Sequence, residues 1–158
     1  MITVERTRTI AAPATRVWEV LADFDRLASW ADNVDHTSWL DDARVDGDMI
    51  GRARRVQAGR MVLVERITVW EPPARLAYTL TGLPPVVKAA TNEWHLVADP
   101  ADSGRTISTL ASHVHCGPRP PQQLIARVVG RRLGSASDVM LKGLAGHLAA
   151  TSIQGVHR

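Results

Sequence analysis

The chain has 158 residues, a net charge of +3, a sequence pI near 9.7 and one cysteine. That length can bury one continuous core, and a lone thiol excludes both an internal disulfide framework and a multi-cysteine zinc site. Arginines outnumber lysines 17 to 2 but are spread over the whole chain, so no basic patch marks a nucleic-acid partner and none is expected.

Residues 1–20 mix charges into every apolar block, so neither a signal peptide nor a membrane span is expected and a cytoplasmic location is the default. Within them "ITVERTRTI" reads as a β-strand over 2–10. Pro13 then suits a first helical turn. Ala14, Val17, Trp18 and Leu21 fall on one helix face, and Phe24, Leu27 and Trp30 continue the apolar set as a second short helix or bend. The acidic cluster of Asp32, Asp35, Asp41, Asp42, Asp46 and Asp48 has turn chemistry around it and reads as a solvated loop.

From Val34 to His115 the apolar period becomes alternating, with turn signals at "VDGD", "AGR", "WEPPAR" and "PADSG". The pattern predicts an antiparallel meander of about six strands. A two-residue turn at Ala58-Gly59 or Gly59-Arg60 puts Arg54 and Val56 on one face with Met61, Leu63, Glu65, Ile67 and Val69. This is the more apolar face, so it carries Arg54 and Glu65 inward as a pair, unless a different register leaves both solvated. Leu76, Tyr78 and Leu80 likewise share an inward face, as do Trp94 and Leu96, with Glu93 and His95 outward. "GLPPVVKAA" between these strands is either a flap over a cavity rim or an edge strand broken by proline.

A long helix follows from about Pro121 to Ala150, some 45 Å at ~1.5 Å per residue. Its core stripe is Ile125, Val129, Leu133, Ala136, Met140, Leu144 and Leu148. Gly130, Gly134, Gly143 and Gly146 interrupt it, each at a cost of about 1 kcal/mol relative to alanine. They point to close packing or to space left for something else.

Strand, helix pair, meander and terminal helix together make one antiparallel α+β domain over 1–158. "TIAAPATRVWEVLADFDRLASW", "VWEPPARLAYTLTG" and "EWHLVADPADSGRTISTL", in this order, resemble the START-like, pollen-allergen-like helix-grip superfamily (SRPBCC), in its polyketide cyclase/dehydrase branch. The resemblance implies a curved sheet of about seven strands around the terminal helix. It also implies a deep, largely apolar cavity between them for a lipid, polyketide or similar molecule. Members include carriers, sensors and aromatase/cyclases, so the fold does not select among binding, cyclase chemistry and a non-catalytic scaffold.

No GxSxG, HExxH, Walker loop, GxGxxG or paired CxxC occurs, and no cofactor is expected. A cyclase of this kind would draw on Arg54 as carbonyl clamp, Glu65 as its partner or as base, and Tyr78 as donor; the alternative is a structural ion pair beside a core tyrosine. The expected ligand contacts are Trp30, Arg54, Leu63, Glu65, Tyr78, Trp94, His113 and Met140. His113 and His115 share a strand face at metal-capable spacing, but His95 could join them only on the outside of the sheet, so no metal site is expected. Cys116 and His115 point to opposite faces and make no catalytic pair. One or both histidines are expected at the cavity mouth. A hydrophobic small molecule is the expected partner of a monomer or homodimer.

Overall fold

The computed structural model describes residues 1–40 and 49–156, the last five of these by backbone alone. Asp41, Asp42, Asp46, Asp48 and the "VDGD" turn lie outside the described residues, while Asp32 and Asp35 are exposed. Strand β1 (Ile2–Ile10) leads into helix α1 (Ala14–Ala22) and a 3-10 helix (Phe24–Ser29). Six strands follow: β2 (His36–Trp39), β3 (Ala53–Ala58), β4 (Met61–Glu71), β5 (Arg75–Thr81), β6 (Ala89–Asp99) and β7 (Asp102–His115). Helix α2 (Pro120–Val156) closes the order. The sheet is antiparallel throughout, in the order β1-β7-β6-β5-β4-β3-β2. This is the helix-grip architecture.

Pro13 stands just before α1 as its N-cap, in extended conformation, and Val17, Trp18 and Leu21 form the buried face. Phe24 and Leu27 bury the 3-10 helix beneath them. In the β3–β4 hairpin Ala58 pairs with Met61, so the turn is Gly59-Arg60, and Gly59 takes the positive φ of 61° that such a turn demands. Arg54 stands opposite Glu65 and Val56 opposite Leu63, as alternation predicts.

The predicted inward face fails at Met61, which is exposed beside the turn, and at Val69. The register shifts between Ile67 and Val69, so Val69 stands opposite Ala77 while Trp70 stands opposite Leu76 on the inner face. One extra residue reverses the alternation. Trp70 therefore meets Trp18 edge to face, with ring centroids 5.1 Å apart. Residues 82–88 are a connecting loop and not an edge strand, since β6 lies between β5 and β7. Leu83 and Val87 are half-buried against the core, and the Lys88 backbone N–H donates to the His115 carbonyl.

Helix α2 has 37 residues, about 55 Å, and exceeds the predicted span mainly at its C-terminal end. Its expected stripe is rotated in the first turns. Ile125 is exposed, and the buried line runs through Ala126, Gly130, Gly134 and Ser137 before reaching Met140, Leu141, Leu144 and Leu148. Glycine is the reason: a Cβ at Gly130 would lie 3.0 Å from the Val4 side chain, and one at Gly134 would lie 2.7 Å from Arg6 and 2.8 Å from Val4. The helix backbone thus rests directly on β1. Gly143 repeats the device, since its Cβ would lie 2.1 Å from the Trp30 carbonyl oxygen.

Gly146, by contrast, has nothing within 4 Å of a built Cβ. Alanine should therefore act with opposite signs three residues apart. Gly146→Ala gains helix propensity and raises stability by about 1 kcal/mol, whereas Gly143→Ala forces a methyl onto backbone and lowers it by roughly 1–3 kcal/mol. Thermal melting of both variants checks this; stabilisation in both would mean that α2 and Trp30 are not in close contact.

Candidate functional site

The inner face of the sheet is apolar except for a connected set of polar side chains. Arg54 on β3 and Glu65 on β4 are 3% and 5% exposed. The Arg54 Nε donates to Glu65 Oε2 at 2.6 Å, Nη2 lies 2.5 Å from the same oxygen, and Nη1 donates to the Phe24 carbonyl at 2.7 Å. The guanidinium carbon sits 3.6 Å from the Phe24 ring centroid and 5.0 Å from that of Tyr78. A buried charge persists only when it is paired and hydrogen-bonded, and the planar guanidinium meets both needs while stacking on rings.

Tyr78 on β5 is fully buried. Burial and then the Glu65 charge push its phenol up to about 12, against the opposing pull of Arg54. It is therefore a neutral donor and acceptor over the physiological range. Trp94 Nε1 donates to its oxygen at 3.4 Å, and the Trp94 indole meets Trp30 edge to face at 6.2 Å. Tyr78 stands opposite Asn92, which stands opposite Ser112, so three adjacent strands put a polar row across the inner face. Ser112 Oγ donates to Asn92 Oδ1 at 2.7 Å. Ser108, two positions before Leu110 on the same face, has a buried hydroxyl with no hydrogen-bond partner among the described residues.

Of the expected contacts, Arg54, Glu65, Tyr78, Trp94, Trp30 and Met140 are buried, and the apolar ones among them share one core cluster. Leu63 is half-buried at its edge, near the β3–β4 turn. His113 is elsewhere. Ser112 and Val114 are the inward residues of β7, so alternation puts His113 and His115 on the outer face, which corrects the expectation of a histidine at the cavity mouth with His113 as a ligand contact. There Thr3 Oγ1 lies 2.9 Å from His113 Nδ1, and Glu93 holds His95 at 2.9 Å, hydrogen-bonds Arg75 and approaches His113 at 3.8 Å. Burial works to raise the Glu93 carboxyl, but Arg75, His95 and His113 together hold it below its usual range. Among the described residues no group of three His, Cys, Asp or Glu side chains is arranged to hold a metal ion.

Tyr78, Trp94, Phe24 and Leu144, between the sheet and α2, are each at most 1% exposed. Among the described residues, clefts lie at the rim. One of about 340 Å³ is bounded by Asp32, Lys142, Gly143 and Gly146, another of about 180 Å³ by Arg16, Glu19, Val20, Asp23 and Arg26, and both share Ser29, Trp30 and His147. Trp30 thus stands between two surface clefts and the Trp94 indole below.

Asn92, Ser108 and Ser112 escape a sequence reading that looks for charges and aromatics. Their signal is alternation alone: Asn92 is two residues before Trp94, and Ser108 and Ser112 flank Leu110 at two-residue spacing. The Phe24 carbonyl has no sequence signal.

The family model described as "Polyketide cyclase / dehydrase and lipid transport" matches residues 1–149. Among solved structures, the Zhui aromatase/cyclase from Streptomyces sp. R1128 is 21% identical, with a TM-score of 0.74 over 94% of this chain and 93% of that one. A protein from Thermobifida fusca is 26% identical, with a TM-score of 0.73 over 95% of each chain. A START superfamily protein from Mycobacterium smegmatis is 15% identical, with a TM-score of 0.73 over 94% and 98%. No curated protein resembles the chain closely enough to count as a match.

Two predictions test the buried network. Tyr78 is the chain's one tyrosine, so the phenolate absorbance reports it alone. Its midpoint should be about 12 in the folded protein and about 10 in denaturant. Because the folded value is the higher, the unfolded chain loses the proton first; the stabilisation is complete below pH ~10 and is lost as pH rises towards 12. A folded-state midpoint near 10 would contradict the burial. Separately, Arg54→Met strands the Glu65 carboxylate and should cost roughly 3–5 kcal/mol, much of it recovered in Arg54→Met/Glu65→Leu. Urea unfolding of the single and double variants measures this; equal losses in both would show that the pair's charge balance is not what matters.

Proposed function

The chain belongs to the polyketide cyclase/dehydrase and lipid transport family, and from that premise we propose that it binds a hydrophobic small molecule, a lipid or polyketide, against the inner face of the sheet. The observation that carries this reading is the polar row Tyr78–Asn92–Ser112, with the unpartnered Ser108 hydroxyl on the same face of an otherwise apolar interior. Buried polar groups cost free energy, and a fold with no ligand to orient would do as well with apolar residues there. A few placed donors and acceptors on an apolar wall are what fix an oxygen-bearing hydrophobic ligand. Trp30, between the rim clefts and Trp94, is the side chain whose rotation admits it.

Cyclase chemistry is the second reading, supported by the convergence of Arg54, Glu65 and Tyr78. It ranks below binding. The Arg54 donors are engaged by Glu65 and the Phe24 carbonyl, and a phenol that keeps its proton to about 12 is a donor and not a shuttle.

Native mass spectrometry of the purified protein, before and after organic extraction, is the direct test. A stoichiometric small molecule should be present, and the extracted protein should take up cis-parinaric acid or an aromatic polyketide with quenching of tryptophan fluorescence. Ser108→Ala removes a buried, unpartnered hydroxyl and should raise stability by about 1 kcal/mol in the absence of ligand. Tyr78→Phe should weaken binding of a carbonyl-bearing ligand about fivefold, the worth of one hydrogen bond. A protein that is isolated empty and takes up neither probe overturns the reading.

A further inference from the structure

One end of the sheet gathers the β3–β4 turn, the 82–88 loop, the start of β1 and the link from β7 into α2. The pairings Ala58–Met61, Ile2–Val114 and Ala89–His115 place them there, as does Gly82 packed against the Val62 carbonyl. Large apolar side chains stand exposed at this end: Leu124 at 62%, Val128 at 50%, and Ile125, Met61 and Val62 at about 40%. Leu124, Ile125 and Val128 belong to the first turns of α2, whose opposite side is buried through Ala126 against Val114 and Cys116.

Cations stand on the same turn, loop and helix. Arg60, Lys88, Arg119, Arg127, Arg131 and Arg132 are all exposed. Among the described residues none of them lies within ion-pairing distance of a carboxylate. The carboxylate of Asp35, at the same end, accepts the Gly59 backbone N–H and caps the hairpin turn. Apolar side chains ringed by unpaired arginines match a layer that is apolar inside and negative at its surface.

We propose that this end is a docking surface for an anionic lipid bilayer, with Leu124, Val128 and the hairpin residues Met61 and Val62 entering the headgroup layer and the arginines meeting lipid phosphates. A self-complementary dimer face would put like charges opposite one another, which disfavours a second copy as occupant. The inference rests on the surface alone and holds whether or not the interior binds a ligand.

The test is sedimentation of the full chain with vesicles of phosphatidylcholine alone or of an equimolar mixture with phosphatidylglycerol. Binding should appear with the anionic vesicles only and be lost at about 0.5 M salt. Arg131→Glu/Arg132→Glu should weaken partitioning by about thirtyfold, and Leu124→Ser/Val128→Ser by about tenfold. Val97→Ser, which removes an exposed apolar side chain on β6, should leave it unchanged. Thermal melting establishes that each variant is folded. Failure to bind anionic vesicles, equal binding to both compositions, or binding indifferent to the two double variants overturns the proposal. So does a wild-type dimer that either double variant dissociates, or a nucleic-acid duplex that competes for the same residues, in the absence of vesicle binding.

Discussion

The Arg54–Glu65 ion pair constrains the rest of this structure because two charges removed from water must be satisfied in full. The pairing fixes the register of β3 on β4, since a slip of one residue would turn one of the two side chains to solvent and leave the other buried without its partner. The remaining guanidinium donor reaches the Phe24 carbonyl, and this ties the helical unit after β1 to strands distant in sequence. Phe24 then covers the guanidinium face and meets the Tyr78 ring at 5.5 Å. One side chain thereby joins three elements that apolar packing alone would leave freer to slide.

The same pair shapes the chemistry of the interior. Glu65 adds its charge to burial in keeping Tyr78 protonated, and Arg54 opposes it without prevailing. A neutral phenol between an ion pair and the Asn92–Ser112 hydrogen bond makes a directional polar lining that carries no net charge.

Much of this was legible in the amino-acid order. Alternation placed Arg54, Glu65, Tyr78 and Trp94 inward, because each lies on an uninterrupted stretch of period two. Val69 failed because a bulge leaves no mark in hydropathy, and Ile125 failed because the rotation of α2 is set by glycines that count as blanks in an apolar stripe. The histidines were ambiguous for another reason. Near the end of β7 small inward residues, Ser108 and Ser112, replace the large apolar ones that normally reveal a face. Asn92 and Ser108 were missed on the same ground, since short polar side chains read as solvent-facing until the neighbouring strands are in place.

The glycines of α2 also decide what can move. Gly130 and Gly134 bring the helix backbone onto Val4 and Arg6, and Gly143 brings it onto the Trp30 carbonyl. Lifting α2 would break these contacts together, over most of its length. The Trp30 indole is buried in the core, meets Trp94 edge to face and lines clefts on two sides, beside Gly146, where a built Cβ would have nothing within 4 Å. Leu83 and Val87 pack half-buried against the core at the other end, in a loop fastened by the Val87-to-Pro84 and Lys88-to-His115 backbone hydrogen bonds. The helix is therefore clamped by backbone contact to β1 and to the Trp30 carbonyl, and the polar row lies on strands whose register is set independently of it.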